Sequence, residues 1–140
     1  MCRLRKIIVI REAIQFHKTI STWFGEGGNP VSEHLAISRA KTCAMCPLNK
    51  TKPIWEKLAE PVALLVRRQL ALKNKLNLNL GDYEDCLNVC DACNCILKLK
   101  VWQPIEFIAG NTKIVEIGQF HERCWIPTEL SEYAIEQSYT

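Results

Sequence analysis

Six of the eight cysteines in this chain are grouped with short spacings or lie close to an aromatic residue. These are Cys43-x2-Cys46, Cys90-x2-Cys93-x-Cys95, and Cys124 directly before Trp125. Thiolates are preferred ligands of zinc, and a loop of two intervening residues lets one backbone turn present two sulfurs to one ion. The spacing therefore predicts a metal site that is built from both turns.

The number of grouped cysteines exceeds the four ligands of a single zinc ion. Cys43 and Cys46 form one natural pair, and Cys90 and Cys93 form the other. Three arrangements are open: one zinc ion with two cysteines left over as buried side chains, two zinc ions bridged by six thiolates, or an iron–sulfur cluster that uses four. We expect zinc, with an iron–sulfur cluster as the alternative. The predicted metal-ligand set is Cys43, Cys46, Cys90, Cys93, Cys95 and Cys124.

Several nearby residues are secondary candidates. Asn94 favours a left-handed backbone that would turn Cys95 back toward the same centre. Cys86 is predicted to be a small core residue, and Cys2 is assigned no role. His121 stands three residues before Cys124 and is a conceivable ligand, whereas His17 and His34 are interpreted as ordinary helix residues.

Catalysis is not predicted from this sequence. It contains no nucleophile elbow, phosphate-binding loop or His-Glu-x2-His motif, and no supporting pattern for a cysteine nucleophile. The glycine-rich segment 25–28 resembles a phosphate cradle only loosely and is better explained as a helix stop. We therefore expect a protein that is not an enzyme.

The elements around the cysteines are predicted to be mainly helical. Apolar residues three and four apart predict a helix over 4–24, and Asn29 and Pro30 predict the cap and first residue of a second helix that runs to residue 42. A further helical block covers 54–76 and is interrupted at Pro61. Its predicted buried stripe is Leu58, Val62, Leu65, Val66, Leu70 and Leu72, opposite Arg67, Arg68, Lys73 and Lys75. The segment 76–80 is interpreted as a frayed end or an extended linker.

The C-terminal part, residues 96–140, is predicted to be a small α+β unit. Strands are expected over 96–102 and 113–117, a short helix from Pro104 to residue 109, and a terminal helix over 127–136. The fold class is therefore mainly α with a small β portion, in which a cysteine-ligated metal knuckle fastens a helical core. The whole chain, 1–140, is expected to be one domain, with cysteine knots at 43–46 and 86–95.

Composition limits the environment and the partners. The 140 residues are 48% hydrophobic, which is enough for a buried core, and the net charge of +3 is too small to identify a polyanion partner. The apolar run 7–10 is too short for a secretory signal, and the longest apolar stretch, 62–66, is too short to span a bilayer. We expect a soluble intracellular protein, neither secreted nor membrane-spanning, with reduced thiols that bind metal.

Two stretches resemble small cysteine-rich proteins of tailed bacteriophages and prophages, a largely uncharacterised group. The first is Trp23 to Val31 together with Arg39-Ala40-x2-Cys43-x2-Cys46-Pro47-x-Asn49, and the second runs from Cys90 through Leu97 and Lys100 to Cys124-Trp125. The resemblance implies a metal-binding phage protein that uses these six cysteines. It differs at Asn94, where the group more often has Gly, and in having no spacer between Cys124 and Trp125.

Four functions are compatible with these features. The preferred hypothesis is a structural adaptor that docks on other phage proteins in the virion or its tail, with Trp55, Trp102, Trp125 and Tyr139 as possible interface anchors or core residues. A zinc-ribbon-like nucleic-acid binder is the first alternative, and its candidate phosphate contacts are Arg67, Arg68, Lys73, Lys75, Lys98 and Lys100. An iron–sulfur protein and a phage antagonist of host defence are the others.

Overall fold

The structure, a computed structural model, describes residues 18–23, 25, 28–112 and 117–139. In these residues the chain is mainly helical, with one two-stranded antiparallel sheet. This confirms the predicted balance of a mostly α fold with a small β portion. Residues 113–116 of the predicted strand and most of the predicted first helix fall outside the described residues. The last residue of that predicted strand, Ile117, is described and is helical.

The helices with described residues are α1 (helical at 18–23 and 25), α2 (Glu33–Ala44), α3 (Pro53–Asn74), α4 (Leu97–Lys100), α5 (Ile105–Asn111) and α6 (Trp125–Ser138). A 3-10 helix (Gly81–Cys86) lies between α3 and α4, and Ile117 is also helical. The strands are β1 (Asn49–Lys50) and β2 (Val89–Cys90). The short helix after Pro104 and the terminal helix are confirmed, although α6 begins two residues earlier than predicted.

Helix α2 begins later than the sequence suggested. Its cap is Ser32, whose hydroxyl accepts a hydrogen bond of 3.2 Å from the amide of Leu35, and the predicted cap at Asn29 is wrong. A serine hydroxyl can satisfy one of the first free amides of a helix, so both residue types suit the role. The helix then continues to Ala44, and Cys43 therefore lies inside its last turn.

Helix α3 is continuous over 22 residues and does not break at Pro61. Proline removes one helical hydrogen bond, but Pro61 is exposed, so water can satisfy the carbonyl that the missing amide leaves free. The helix ends at Lys75, which adopts a left-handed conformation with φ of 53°. The extended segment predicted at 76–80 follows it, and leads to the 3-10 helix.

The buried face of α3 matches the predicted apolar stripe only in part, at Val66 and Leu70. Its buried residues are Trp55, Ala59, Ala63, Val66, Arg67 and Leu70. Leu58, Leu65 and Leu72 are instead 52%, 57% and 67% exposed. The small alanines let the helix lie close to the core, and Arg67 is buried because its guanidinium donates to the carbonyls of Leu78 and Lys98 and to Glu84.

The predicted strand at 96–102 is wrong, because four of its residues form the short helix α4. Six of the seven residues in this segment are buried, which explains the misleading pattern. A segment that is buried on all sides has no polar face to reveal its period. Trp102 ends this segment in the centre of the core, with 1% of its surface exposed.

No helix of the described residues is long and apolar enough to cross a membrane.

Candidate metal centre

The two cysteine turns are brought together by the short sheet. Strand β1 begins three residues after Cys46, and its residue Asn49 pairs directly with Cys90 of β2. The amide of Asp91 also donates to the carbonyl of Leu48 at 2.8 Å. Residues that are some 40 positions apart in sequence are thereby fixed side by side.

Asn49 strengthens this pairing through its side chain. Its Nδ2 donates to the carbonyl of Cys86 at 2.8 Å, and its Oδ1 accepts a hydrogen bond of 2.9 Å from the amide of Asn88. The side chain of Asn49 therefore makes two hydrogen bonds to the segment that leads into β2 and Cys90.

The first cysteine turn, Cys43 to Cys46, begins in the last turn of α2. Cys43 is buried in the last helical turn, and the amide of Cys46 donates to the carbonyl of Cys43 at 3.1 Å. The amide of Asn49 in turn donates to the carbonyl of Cys46, also at 3.1 Å. These bonds fold the chain tightly between the two thiols.

The second turn has the backbone geometry of a metal-binding knuckle. The amides of Cys93 and Ala92 both donate to the sulfur of Cys90, which is how such turns stabilise a thiolate. Asn94 adopts the predicted left-handed conformation, with φ of 56°. The chain turns back at this residue, and the amide of Cys90 donates to the carbonyl of Cys95 at 3.1 Å.

Residues at the start of α3 contact the second cysteine turn through side-chain hydrogen bonds and an ion pair. Nζ of Lys52 forms an ion pair of 2.9 Å with Asp91, and the same lysine donates to the side chain of Asn94. The indole Nε1 of Trp55 donates to the carbonyl of Asn94 at 2.8 Å. The left-handed residue is therefore fixed through both its side chain and its backbone.

Helix α6 supplies a third segment. Cys124 is its N-terminal cap residue, and the backbone amide of Ile126 acts to lower the pKa of the Cys124 thiol. The next residue, Trp125, is buried and its Nε1 donates to the Sγ of Cys43 at 3.2 Å. The start of α6 and the end of α2 are thus joined at a cysteine.

A small cavity of about 20 Å³ lies where the three segments meet. Its lining includes four cysteines from those segments, Cys43, Cys46, Cys90 and Cys124. This volume is close to what one water molecule requires, so the cavity has room for a single ion but not for an organic substrate. Cys93 and Cys95 are not part of the lining.

The four thiols around the cavity affect one another electrostatically. Burial raises the pKa of Cys43 to about 12, against the hydrogen bond from Trp125, and the negative charges of Cys124, Cys90 and Cys46 add to the increase. Burial also raises the pKa of Cys124 to about 11, partly opposed by the amide of Ile126. Both thiols are therefore protonated at neutral pH unless a cation compensates them.

The three cysteines of the second turn, Cys90, Cys93 and Cys95, lie beside a buried lysine. The side chain of Cys93 interacts with the sulfurs of both Cys90 and Cys95, which is the main cause that lowers the pKa values of those two thiols and raises the pKa of Cys93. Burial acts to lower the pKa of Lys100, but the charges of Cys95, Cys93 and Cys90 raise it overall. Only 9% of the surface of Lys100 is exposed, and its ammonium also bonds to Cys95.

Among the described residues, no group of three or more histidine, cysteine or acidic side chains is arranged as a metal ion would require. The structure brings the backbone of the six predicted ligands together, and groups four of their side chains around one cavity. Seven cysteines are described, and none of these seven forms a disulfide.

Three other candidates from the sequence have different surroundings. Cys86 is exposed and donates to the carbonyl of Asp82 at 3.6 Å, so the prediction of a core residue is wrong. His121 lies beside a surface groove of about 530 Å³ whose lining also includes Cys46, and its Nδ1 accepts the amide of Arg123 at 3.2 Å. His34 is exposed on α2, as expected for an ordinary helix residue. Cys2 and His17 lie outside the described residues.

At least half of the basic residues proposed as phosphate contacts are engaged within the protein. Arg67 is buried against Glu84, and Lys98 forms an ion pair of 2.9 Å with Glu60. Lys100 is buried beside the thiols. The expectation that Arg67 lies opposite the buried side of its helix is therefore wrong. Arg68, Lys73 and Lys75 are exposed.

The tryptophans expected as possible interface anchors are core residues. Trp55, Trp102 and Trp125 are 4%, 1% and 8% exposed. Only Tyr139 of the four aromatic candidates is exposed, at 87%.

The cysteine spacing did not identify two further residues of the centre, Trp125 and Arg39. Neither is a predicted ligand. Trp125 could have been suspected because it directly follows Cys124, but the bond to Cys43 depends on tertiary structure. Arg39 is 2% exposed and stacks on Trp125, with its guanidinium carbon 4.2 Å from the ring centre. Arg39 bonds to Glu129 and Val101, which are 90 and 62 positions away in sequence, so no local pattern indicates its role.

Comparison with known proteins leaves the centre to be interpreted on its own geometry: no protein-family model, curated protein or solved structure matches this chain.

Proposed function

We propose that this protein is a structural metal-binding protein in which Cys43, Cys46, Cys90 and Cys124 bind one zinc ion. The observation that carries the proposal is the cavity of about 20 Å³ whose lining includes these four cysteines. Four thiolates in a tetrahedron are a usual structural zinc site. In the described residues, these thiols are not arranged as a metal ion would require. Metal binding would therefore have to bring the four sulfurs closer together, which would couple metal binding to folding.

The buried lysine supports a cluster of thiolates at this position. A buried ammonium is costly unless anionic groups compensate it, and the groups whose charges act on Lys100 are Cys95, Cys93 and Cys90. A zinc ion with four thiolates carries a net negative charge, so a neighbouring cation also offsets the charge of the occupied site. Cys93 and Cys95 then serve as hydrogen-bonding neighbours, or as ligands of a second zinc ion.

The position of the site supports a structural role. It lies where the end of α2, strand β2 and the start of α6 converge, so an ion there would fasten three separate segments. Structural zinc sites contribute directly to folding free energy. The small cavity leaves no space for a substrate beside the ion, which favours a fastening role over catalysis.

The wider role that we propose is that of an adaptor for protein assembly, with other phage proteins of the virion or tail as partners. Its support is the sequence resemblance to cysteine-rich phage proteins, together with a zinc-fastened core that would present rigid surfaces. Density for this chain in a purified virion, or its recovery with virion proteins from infected cells, is the test of that role. Its absence from both would contradict it.

The metal site can be tested with matched cysteine variants. We expect purified protein to contain zinc by elemental analysis, and Cys46→Ser and Cys124→Ser to lose the metal and much of the cooperative unfolding transition. Cys86→Ser is the control, because Cys86 is exposed and lies outside the cavity lining. Cobalt substitution should give the absorption of a tetrahedral thiolate site.

The metal count and identity distinguish the alternatives. One zinc ion that survives Cys93→Ser and Cys95→Ser supports the four-ligand site, whereas two ions and loss of both in Cys90→Ser indicate a binuclear site. A brown sample with equivalent iron and sulfide would instead indicate an iron–sulfur cluster. If chelators and the Cys46 and Cys124 variants leave folding unchanged, the proposal is wrong.

A further inference from the structure

The outward face of α3 has an apolar stripe with no covering partner among the described residues. Ile54, Leu58, Leu65 and Leu72 are 71%, 52%, 57% and 67% exposed. Leu58, Leu65 and Leu72 are seven residues apart, so they follow one line along the helix. A line of this spacing is typical of a seam between two helices, and Leu64, which is 42% exposed, adds an apolar side chain to one side of it.

One edge of the stripe is basic. Lys57, Arg68 and Lys75 are exposed, and their separations of 11 and 7 residues are close to whole helical turns. They therefore line the same side of the leucines. The two acidic residues of α3, Glu56 and Glu60, lie on other sides of the helix, and Glu60 is already paired with Lys98. The outward face is apolar and positively charged along its length.

The far end of α6 has the opposite character. From residue 134 to residue 139 every side chain is exposed, and Ile135 and Tyr139 are 57% and 87% exposed. These two residues are four positions apart, so they share one face of the helix. Glu132 and Glu136 are exposed beside them, also four positions apart. This end of α6 is an acidic helix with an apolar face that nothing in the described residues covers.

We propose that the acidic end of α6 in one copy of this chain docks on the basic apolar face of α3 in a second copy. Ile135 and Tyr139 would lie between Leu65 and Leu72, and Glu132 and Glu136 would face Arg68 and Lys75. The two surfaces match in helical form, apolar content and charge. The contact joins different surfaces of the two copies, so it generates either a closed pair with two such contacts or a chain of copies.

Charge disfavours the other occupants of this face. Residues 1–17 carry four basic side chains and one acidic side chain, so they would be repelled by the basic edge of α3. Pairing of two α3 helices would bring the same basic residues of both copies into one interface. The acidic end of α6 has the sign and shape that the stripe requires, and the proposal does not depend on the metal centre.

The test is self-association of the full-length protein, measured by sedimentation equilibrium with zinc and a thiol reductant present. We expect wild-type association that weakens as salt rises, because the Debye length falls from about 30 Å at 0.01 M to about 3 Å at 1 M. Arg68→Glu/Lys75→Glu and Glu132→Lys/Glu136→Lys should each weaken association by about tenfold or more, since each places like charges in contact.

A mixture of the two charge-reversed variants provides the decisive measurement. In the mixture, the acidic α6 end of one variant meets the basic α3 of the other, and the reversed pair also matches, so association should return. Ile135→Gln tests the apolar contact without changing charge and should weaken association of an otherwise folded protein. Circular dichroism checks that each exposed substitution leaves the helices intact.

Three results would overturn the proposal. They are a wild-type protein that stays monomeric up to millimolar concentration, a mixture of the reversed variants that does not associate, and association that Ile135→Gln leaves unchanged. Binding of a monomeric wild-type protein to vesicles of anionic lipid would assign the α3 face to a membrane instead, and would also overturn it.

Discussion

The indole Nε1 of Trp125 donates a hydrogen bond of 3.2 Å to the Sγ of Cys43. This contact joins the start of α6 to the end of α2 at a cysteine whose burial raises its pKa to about 12. A donor to a metal-bound sulfur orients the ligand and stabilises its negative charge, as outer hydrogen bonds do at many metal sites. Trp125 is therefore expected to influence both folding and metal affinity.

Trp125→Phe should weaken zinc binding by about tenfold and lower stability by about 1–3 kcal/mol, because the sulfur loses its donor while much of the ring packing is kept. Chelator competition and urea unfolding measure the two effects. Trp102→Phe is the matched control, since Nε1 of Trp102 is buried with no hydrogen-bond partner among the described residues. Equal zinc affinity in wild type and Trp125→Phe would contradict the assigned role.

Lys100→Met should reduce zinc affinity by about 10- to 100-fold, the usual range for loss of a supporting interaction around a metal site. The substitution removes the cation beside Cys95 but keeps an unbranched apolar side chain of similar length. Without metal, stability should fall, because the thiols raise the pKa of Lys100 in the folded state, so its charge stabilises the fold at neutral pH and its removal leaves the thiols without a cation. Lys98→Met is the control, since Lys98 pairs with Glu60 away from the thiols. An unchanged zinc affinity in Lys100→Met would show that the buried charge does not serve the metal.

Arg39→Leu should destabilise the fold by about 3–5 kcal/mol, because buried polar partners lose a charged donor. Arg39 donates to both carboxylate oxygens of Glu129, at 2.9 and 2.7 Å, and to the carbonyls of Val101 and Gln103 at 3.0 and 2.6 Å. Glu129→Gln should cost less, since both carbonyl bonds remain. Urea unfolding curves of the two variants test this order, which would be refuted if Glu129→Gln were the more destabilising.

Acidification should weaken the fold through Glu84. Burial acts to raise the pKa of Glu84, but the hydrogen bonds and charge of Arg67 lower it overall from its usual 4.5. A carboxyl whose pKa is lower in the folded state stabilises the protein above the pKa of the unfolded state, and this contribution is lost as pH falls through the folded value. Unfolding midpoints measured between neutral pH and pH values below about 4 should therefore fall less steeply in Glu84→Gln than in wild type. Parallel pH profiles would argue against this source of acid sensitivity.

The parts of the centre that depend on local chemistry could be predicted from sequence. The two-residue spacing indicated the turns at Cys43 and Cys90, and Asn94 was expected in the left-handed conformation that it adopts. Which sulfurs share a cavity could not be predicted, because this depends on contacts between distant segments. The spacing combined Cys43 and Cys46 with Cys90 and Cys93. The cavity lining instead includes Cys124, from the start of α6, in place of Cys93.

Helix α3 shows why apolar periodicity identified a helix but not its buried side. Both sides carry apolar residues, and the larger leucines were assigned to the core. The close packing of Ala59 and Ala63 selects the other side, and Arg67 joins it because local carbonyls and Glu84 satisfy its guanidinium. Pro61 could continue the helix because it faces solvent, a fact that propensity alone cannot supply.

The pairing of Asn49 with Cys90 has a consequence for the order in which the chain folds. Closing a loop of about 40 residues costs on the order of 3 kcal/mol of chain entropy before any contact can compensate it. Helix α3 lies inside this loop and forms from local contacts, so its early formation would shorten the effective search. The slow step of folding is then expected to be the meeting of the two strands, and substitution of Asn49 should slow refolding more than it accelerates unfolding.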